Sequence, residues 1–352
     1  MKRICIVAGA RPNFIKVAPL IRAIDKTNEA SFRLVYAGRE DDPTLEGSLF
    51  EDLQMPRPQV YLGVDSVSLN EITSRVMAEF DAYLEREPAD VVIVVDDLAS
   101  TMAAAIVTKK RGLKLAHLVA GTRSFDMKMP KEVNRLVIDA LSDYLFTAGI
   151  KSNSVATREQ ADGSNTYMVG NILMDTLRFN YQRFRRPELD VEPDKYIVFT
   201  LNRKALLADE TNLRQMLFAM TEASGTMPIV APLRGMAAEI VKSMQFPTIM
   251  ICRPLPYLEF GWLTSHALGI VTDSGNVAEE ATFSSVPCIT LNSYTEHQET
   301  VSIGSNVLVG ENPERLFEEV RRMVAGQWKQ CALPDRWDGR TAERIVQILI
   351  NS

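Results

Sequence analysis

Short apolar runs alternate with stretches in which apolar residues recur every three or four positions. In the first half the runs are RICIVAG (3–9), FRLVYAG (32–38), DVVIVVD (90–96), LKLAHLVA (113–120) and DYLFTAG (143–149). Runs of this length, bounded by Gly and Asp, have the pattern of strands buried on both faces. Between them, the segment from Phe14 sets Val17, Leu20, Ile21 and Ile24 on one helical face, and a second helix is predicted over about 69–85. The second half repeats the pattern with YIVFTLN (196–202), MPIVAP (227–232), TIMIC (248–252), ALGIVTD (267–273), VPCITLN (286–292) and NVLVG (306–310). Alternation of this kind predicts an α/β protein with parallel sheets.

At 352 residues the chain is long for one core and suits two. The segment 178–195 is charged, contains proline and lacks apolar periodicity, so it is read as a linker. The expected boundaries are an N-terminal domain at 1–177, a C-terminal domain at 196–340 and a terminal helix at 341–352 that suits either half. The predicted fold is two doubly wound, Rossmann-like parallel-sheet domains facing a cleft. Ligands of such sheets bind beyond the C-terminal strand ends, so chemistry is expected directly after strands.

Composition narrows the classes. The net charge is −6 with no basic block, which argues against a nucleic-acid or anionic-membrane partner. No apolar run approaches the roughly 20 residues that span a bilayer. The first apolar run stops at Gly9 and Arg11, as a buried strand does and a signal peptide does not. Cys5, Cys252, Cys288 and Cys331 are far apart without metal-ligand spacing, and three of them lie in or beside apolar runs. Reduced thiols and a cytoplasmic location are expected.

Four segments carry candidate chemistry. GARPNFIKVAPL (9–20) follows the first strand, where a helix start offers backbone N–H groups to an anion and Arg11 and Lys16 add charge. TDSGNVAEEA (272–281) places Ser274, Gly275 and Asn276 at another helix start, with Glu279 or Glu280 available to ribose hydroxyls. Helix capping by Asp273 or Ser274 explains the same pattern. Among the acids, Asp96 and Asp97 end an apolar strand, and Glu132 precedes Arg135 and Asp139 along a helix. Paired carboxylates suit proton abstraction and return, whereas an N-cap at Asp97 and a surface i,i+3 pair of Glu132 with Arg135 are the structural alternatives. In TEHQETVSIGSN (295–306), His297 is placed to meet a phosphate or to stand in solvent.

Together these segments resemble the non-hydrolysing UDP-N-acetylglucosamine 2-epimerases. GARPNFIK, VDDL (95–98), HLVAGTR (117–123), PKEVNRLVID (130–139), MVGN (168–171), TDSGNVAEEA, TEHQE (295–299) and GRTAERI (339–345) follow the family's motifs in order. The resemblance implies a glycosyltransferase-B fold, usually a homodimer, a UDP-sugar as partner and no metal or nicotinamide cofactor. It implies a cytoplasmic isomerase of polysaccharide biosynthesis that inverts C2 of a UDP-HexNAc by eliminating and re-adding UDP. Arg11, Lys16, Arg135, Ser274, Gly275, Asn276, Glu280 and His297 are carried over as UDP or substrate contacts, and Asp97 and Glu132 as catalytic acids.

The departures lie at the chemistry. Val119 stands where the family has an acid, Asn202 where it has a histidine, and His297 replaces an arginine. Asp96 replaces a glycine, which puts a carboxylate beside the position that lost one. Three readings remain open: an epimerase in which Asp96, Asp97, Glu132 or Glu40 covers the missing acid, a catalytically impaired nucleotide-sugar-binding paralogue, and a UDP-sugar transferase or hydrolase on the same fold.

Overall fold

The computed structural model of the chain describes residues 1–45, 47–159 and 165–352. It divides into two units, Met1–Arg178 with Asp335–Ser352, and Phe179–Pro334.

The first unit holds β1 (Lys2–Ala8), β2 (Ala30–Tyr36), β3 (Val60–Tyr61), β4 (Val91–Val95), β5 (Lys114–Ala120), β6 (Tyr144–Thr147) and β7 (Thr166–Met168). They form one sheet in the order β3-β2-β1-β4-β5-β6-β7, and every pairing is parallel. The strand order reverses between β1 and β4, which makes their C-terminal ends the switch point. Cys5 and Val7 of β1 face Val35, Val92 and Val94 and the helix residues Val76 and Phe80. The alternate residues Ile4 and Ile6 are equally buried, so β1 is covered on both faces.

The helix Arg11–Asp25 carries Pro19 in its interior. Proline cannot donate to the carbonyl four residues back, which leaves that of Ile15 without its helical partner. Thr176 Oγ1 donates to Ile15 O at 2.6 Å and fills the gap. The terminal helix Thr341–Ile350 joins this unit because Asp175 accepts the N–H groups of Thr341 and Ala342 at 3.1 and 2.8 Å. Trp337 is fully buried beside it and donates Nε1–H to Ala148 O at 3.1 Å. Gly170 allows this return. Its φ is +103°, and a Cβ there would lie 2.1 Å from Arg336 O.

The second unit holds β8 (Ile197–Thr200), β9 (Ile229–Pro232), β10 (Ile249–Cys252), β11 (Gly269–Thr272), β12 (Cys288–Thr290) and β13 (Asn306–Leu308). All pair in parallel in the order β10-β9-β8-β11-β12-β13, with the switch point between β8 and β11. Period-two alternation is visible in β8. Ile197 and Phe199 join one core with Ile229, Val271 and Ile289, and Val198 joins the opposite one with Val230 and Ile270. The four cysteines form no disulfide, and burial pushes the Cys5 and Cys288 thiols up to about 12.

Candidate active site

In the first unit the loops after β1 and β4 meet at the switch point. Asn13 organises the first: its Oδ1 accepts Gly9 N–H at 2.8 Å and Ala10 N–H at 3.2 Å. Gly9 serves close packing here. Its φ is not positive, but a Cβ would lie 2.2 Å from Ser100 Oγ. The other end of Asn13 donates Nδ2–H to Asp96 at 2.8 Å, and Lys16 Nζ bonds the same carboxylate at 2.6 Å. Lys16 and Asp96 are thus a mostly buried ion pair, with Asp96 in the left-handed region at φ +58°.

Asp97 turns the other way. The following helix, Ala99–Lys110, is entered through Leu98, so Asp97 is not its cap. Its carboxylate accepts from Arg135 Nε and Nη2 at 2.8 and 2.6 Å, with Lys131 Nζ at 3.3 Å. Its carbonyl accepts Asn134 Nδ2–H at 2.8 Å. Burial opposes ionisation of Asp97, but Lys131 and Arg135 outweigh it and hold the carboxyl below its usual range. Glu132 and Arg135 are a buried pair at 3.1 Å, each side chain 2% exposed, and not a surface pair.

Glu132 is saturated with donors. It accepts Ser124 N–H and Oγ–H at 2.8 Å each and Phe125 N–H at 3.0 Å, as well as Arg135. Burial alone would raise its pKa, and these bonds lower it below the carboxylate norm. The result is a chain of alternating charge, Asp97–Arg135–Glu132, that joins the loop after β4 to the first turns of the helix Pro130–Leu141.

Val119 lies on β5 where the register with β6 shifts between Leu118 and Ala120. Its φ of +74° is a left-handed conformation that a β-branched residue adopts only under constraint. The apolar run of β5 conceals this bulge.

The second unit places its motif at its own switch point. Ser274 caps the helix Gly275–Ser284 through backbone alone, with no side-chain capping bond. Asp273 instead accepts the N–H groups of Asn202 and Arg203 at 2.7 and 2.6 Å, tying the ends of β8 and β11. A Cβ on Gly275 would meet nothing within 4 Å, so the space before that helix is open. Asn276 is half-buried at its first turn. Glu280 is buried, and burial followed by the neighbouring Glu279 raises its pKa to about 8. His297 meets Glu279 through Nε2 at 3.3 Å. Arg203 donates to Asn292 Oδ1 at 2.6 Å and pairs with Glu311, contacts with no sequence signature. Asn202 is exposed, and Arg11 is half-buried at the start of its helix.

A model of the family described as UDP-N-acetylglucosamine 2-epimerase matches residues 22–350. The chain belongs to this family. A UDP-N-acetylglucosamine 2-epimerase of Methanocaldococcus jannaschii is 32% identical over 99% of this chain and 98% of its own length. The structure described as that organism's UDP-GlcNAc 2-epimerase in complex with UDP-GlcNAc and UDP matches with a TM-score of 0.89 and 32% identity, over 99% of this chain and 100% of that one. A UDP-2,3-diacetamido-2,3-dideoxy-D-glucuronate 2-epimerase of Pseudomonas aeruginosa is 31% identical over 99% of both chains. This member of the 2-epimerase family therefore has the two-domain glycosyltransferase-B type of fold. Among the described residues no group of three His, Cys, Asp or Glu side chains is placed to hold a metal ion, and no helix is long and apolar enough to cross a membrane.

Proposed function

We propose that this protein is an isomerase that inverts C2 of a UDP-N-acetylhexosamine of the UDP-GlcNAc/UDP-ManNAc type, by elimination and re-addition of UDP. The observation that carries the reading is the full-length match to 2-epimerases together with retention of Asp97 and Glu132 on one arginine, Arg135. Relatives acting on a plain and on a diacetamido sugar set the substrate class as a UDP-HexNAc, modified or not.

In this reading Asp97 removes the C2 proton and Glu132 assists at the departing phosphate. Asp96 balances Lys16. Arg11, Lys16, Arg135, Ser274, Gly275, Asn276 and His297 contact the UDP and sugar, and Glu280 receives the ribose hydroxyls. A carboxylate already held below its usual pKa is a weak base in the free protein, so substrate phosphates must draw cationic partners away from it. The chain acts as a cytoplasmic homodimer supplying polysaccharide biosynthesis.

Proton NMR in D₂O with UDP-GlcNAc tests the reading. Deuterium at C2 with growth of the manno isomer is the expected result. Free UDP without isomerisation identifies a hydrolase where the free sugar accompanies it, and an abandoned elimination where the glycal does. Saturation transfer to the uridine protons without any C2 exchange, for UDP-GlcNAc and for diacetamido UDP-sugars alike, identifies a binding paralogue, a role that Val119 favours.

A further inference from the structure

We propose that His117 and Asp139 form a buried positioning couple that fixes the peptide between Asp96 and Asp97, and through it the Asp97 carboxylate. The inference rests on the epimerase reading for its catalytic consequence and on geometry for the couple itself.

His117 lies on β5 and Asp139 on the helix Pro130–Leu141, and their side chains are 1% and 4% exposed. His117 Nδ1 and Asp139 Oδ1 are 2.5 Å apart, and His117 Nε2 lies 3.0 Å from Asp96 O. A carbonyl only accepts, so Nε2 carries a proton. At the Nδ1 contact Asp139 is the acceptor, because against its burial His117 and Arg123 hold its carboxyl below the usual range. The remaining oxygen of Asp139 accepts Gly121 N–H at 3.0 Å and faces Arg123 Nη1 at 2.7 Å. One carboxylate therefore anchors the ends of both strands, β4 through His117 and Asp96, and β5 through Gly121.

Both ends need anchoring because both are strained. Asp96, Val119 and Gly121 have φ values of +58°, +74° and +74°, and only the glycine tolerates this without cost. Gly121 itself is irreplaceable, since a Cβ there would lie 2.1 Å from Ser152 O. Asp96 is pinned from one side by Asn13 and Lys16 and from the other by His117. Without the Nε2–H donor the Asp96 carbonyl loses this partner, and the 96–97 peptide can tilt between its remaining restraints and displace the Asp97 carboxylate. A displacement near 1 Å costs on the order of 10²-fold in rate.

Two variants separate the arms of the imidazole. In His117→Asn the amide takes the place of Nδ1, keeps the bond to Asp139 and loses the one to Asp96. In His117→Gln the amide takes the place of Nε2 and does the reverse. The expected result is a kcat for C2 exchange about 10²-fold lower in His117→Asn, with KM within about 3-fold, and recovery to within about 10-fold of wild type in His117→Gln. Equal losses in the two variants, or losses that track thermal stability alone, overturn the proposal. In ¹⁵N-labelled protein the Asp97 amide resonance is expected to move further in His117→Asn than in His117→Gln, where only the ring current is lost from the peptide. That comparison decides the couple even where wild type exchanges no substrate, a result that would sink the epimerase reading instead. An Asp97 resonance that moves equally in both overturns the couple.

Discussion

Replacing Asp97 by Asn removes one charge and little volume, so its two consequences can be worked separately. The carboxylate receives two charge-assisted bonds from Arg135, at 2.8 and 2.6 Å, and is only 13% exposed. Asn retains one acceptor oxygen, and Arg135 retains Glu132 at 3.1 Å, so the arginine is not stranded. The expected loss is thus about 1.5–3 kcal/mol, the range for hydrogen bonds to charged groups, below the roughly 3–5 kcal/mol of an abandoned buried ion. For a unit of this size that lowers the midpoint of a thermal melt by about 3–12 °C. The pH dependence has a fixed sign. The folded pKa of Asp97 lies below its unfolded value of about 3.9, so its stabilisation is present above that value and disappears as pH falls through the folded pKa. The stability gap between wild type and variant should be full at neutral pH and close in acid. In the C2-exchange assay the variant should lose about 10²–10⁴-fold in kcat as a missing base, with UDP affinity within a few-fold. Exchange surviving within about 10-fold, alongside the expected loss of stability, would make Asp97 purely structural and refute the assignment.

Other expectations follow from single contacts. Glu280→Gln should lie close to wild type in stability near pH 4 and be the more stable form above pH 8. A folded pKa raised to about 8 means that the contribution of Glu280 is complete below its unfolded value and is lost as pH rises through 8; urea titrations at the two extremes check this. Gly170→Ala should destabilise the first unit severely and expose Trp337, read by fluorescence, because its Cβ would collide with Arg336 O in a backbone conformation that alanine resists. Thr176→Val should cost about 1–3 kcal/mol in denaturant unfolding by leaving Ile15 O opposite Pro19 without a donor, whereas Thr176→Ser should not.

The strand skeleton was legible because parallel strands buried on both faces must be continuously apolar. All eleven expected runs contain a strand. The edge strands β3 and β7, of two and three residues, carry too little periodicity to be read, and Val60 and Thr166 are only half-buried. The helix at Arg11 begins three residues before its apolar face, because its first turn faces the loop that holds Asp96. Residue types that suit chemistry were also legible, since Asp97, Glu132, Ser274 and Gly275 all follow strands or open helices.

Their partners were not legible, and the reason is geometric. Asp96 meets Lys16 across 80 positions, and Asp97 meets Arg135 across 38. Each contact depends on two strands' register and on one helix's rotation, neither of which a local pattern fixes. The same holds for Val119. A β-branched residue in an apolar strand favours extended backbone, yet here it is left-handed, because Gly121 is held by Asp139 and the register with β6 shifts. Local preference and tertiary constraint disagree at that residue, and such disagreements gather at sites where a fold has been made to serve a reaction. The strain remains at a position that carries no proton-transferring group. The backbone of this site is therefore shaped by the Asp139 network and the shift in register, and not by the side chain at 119.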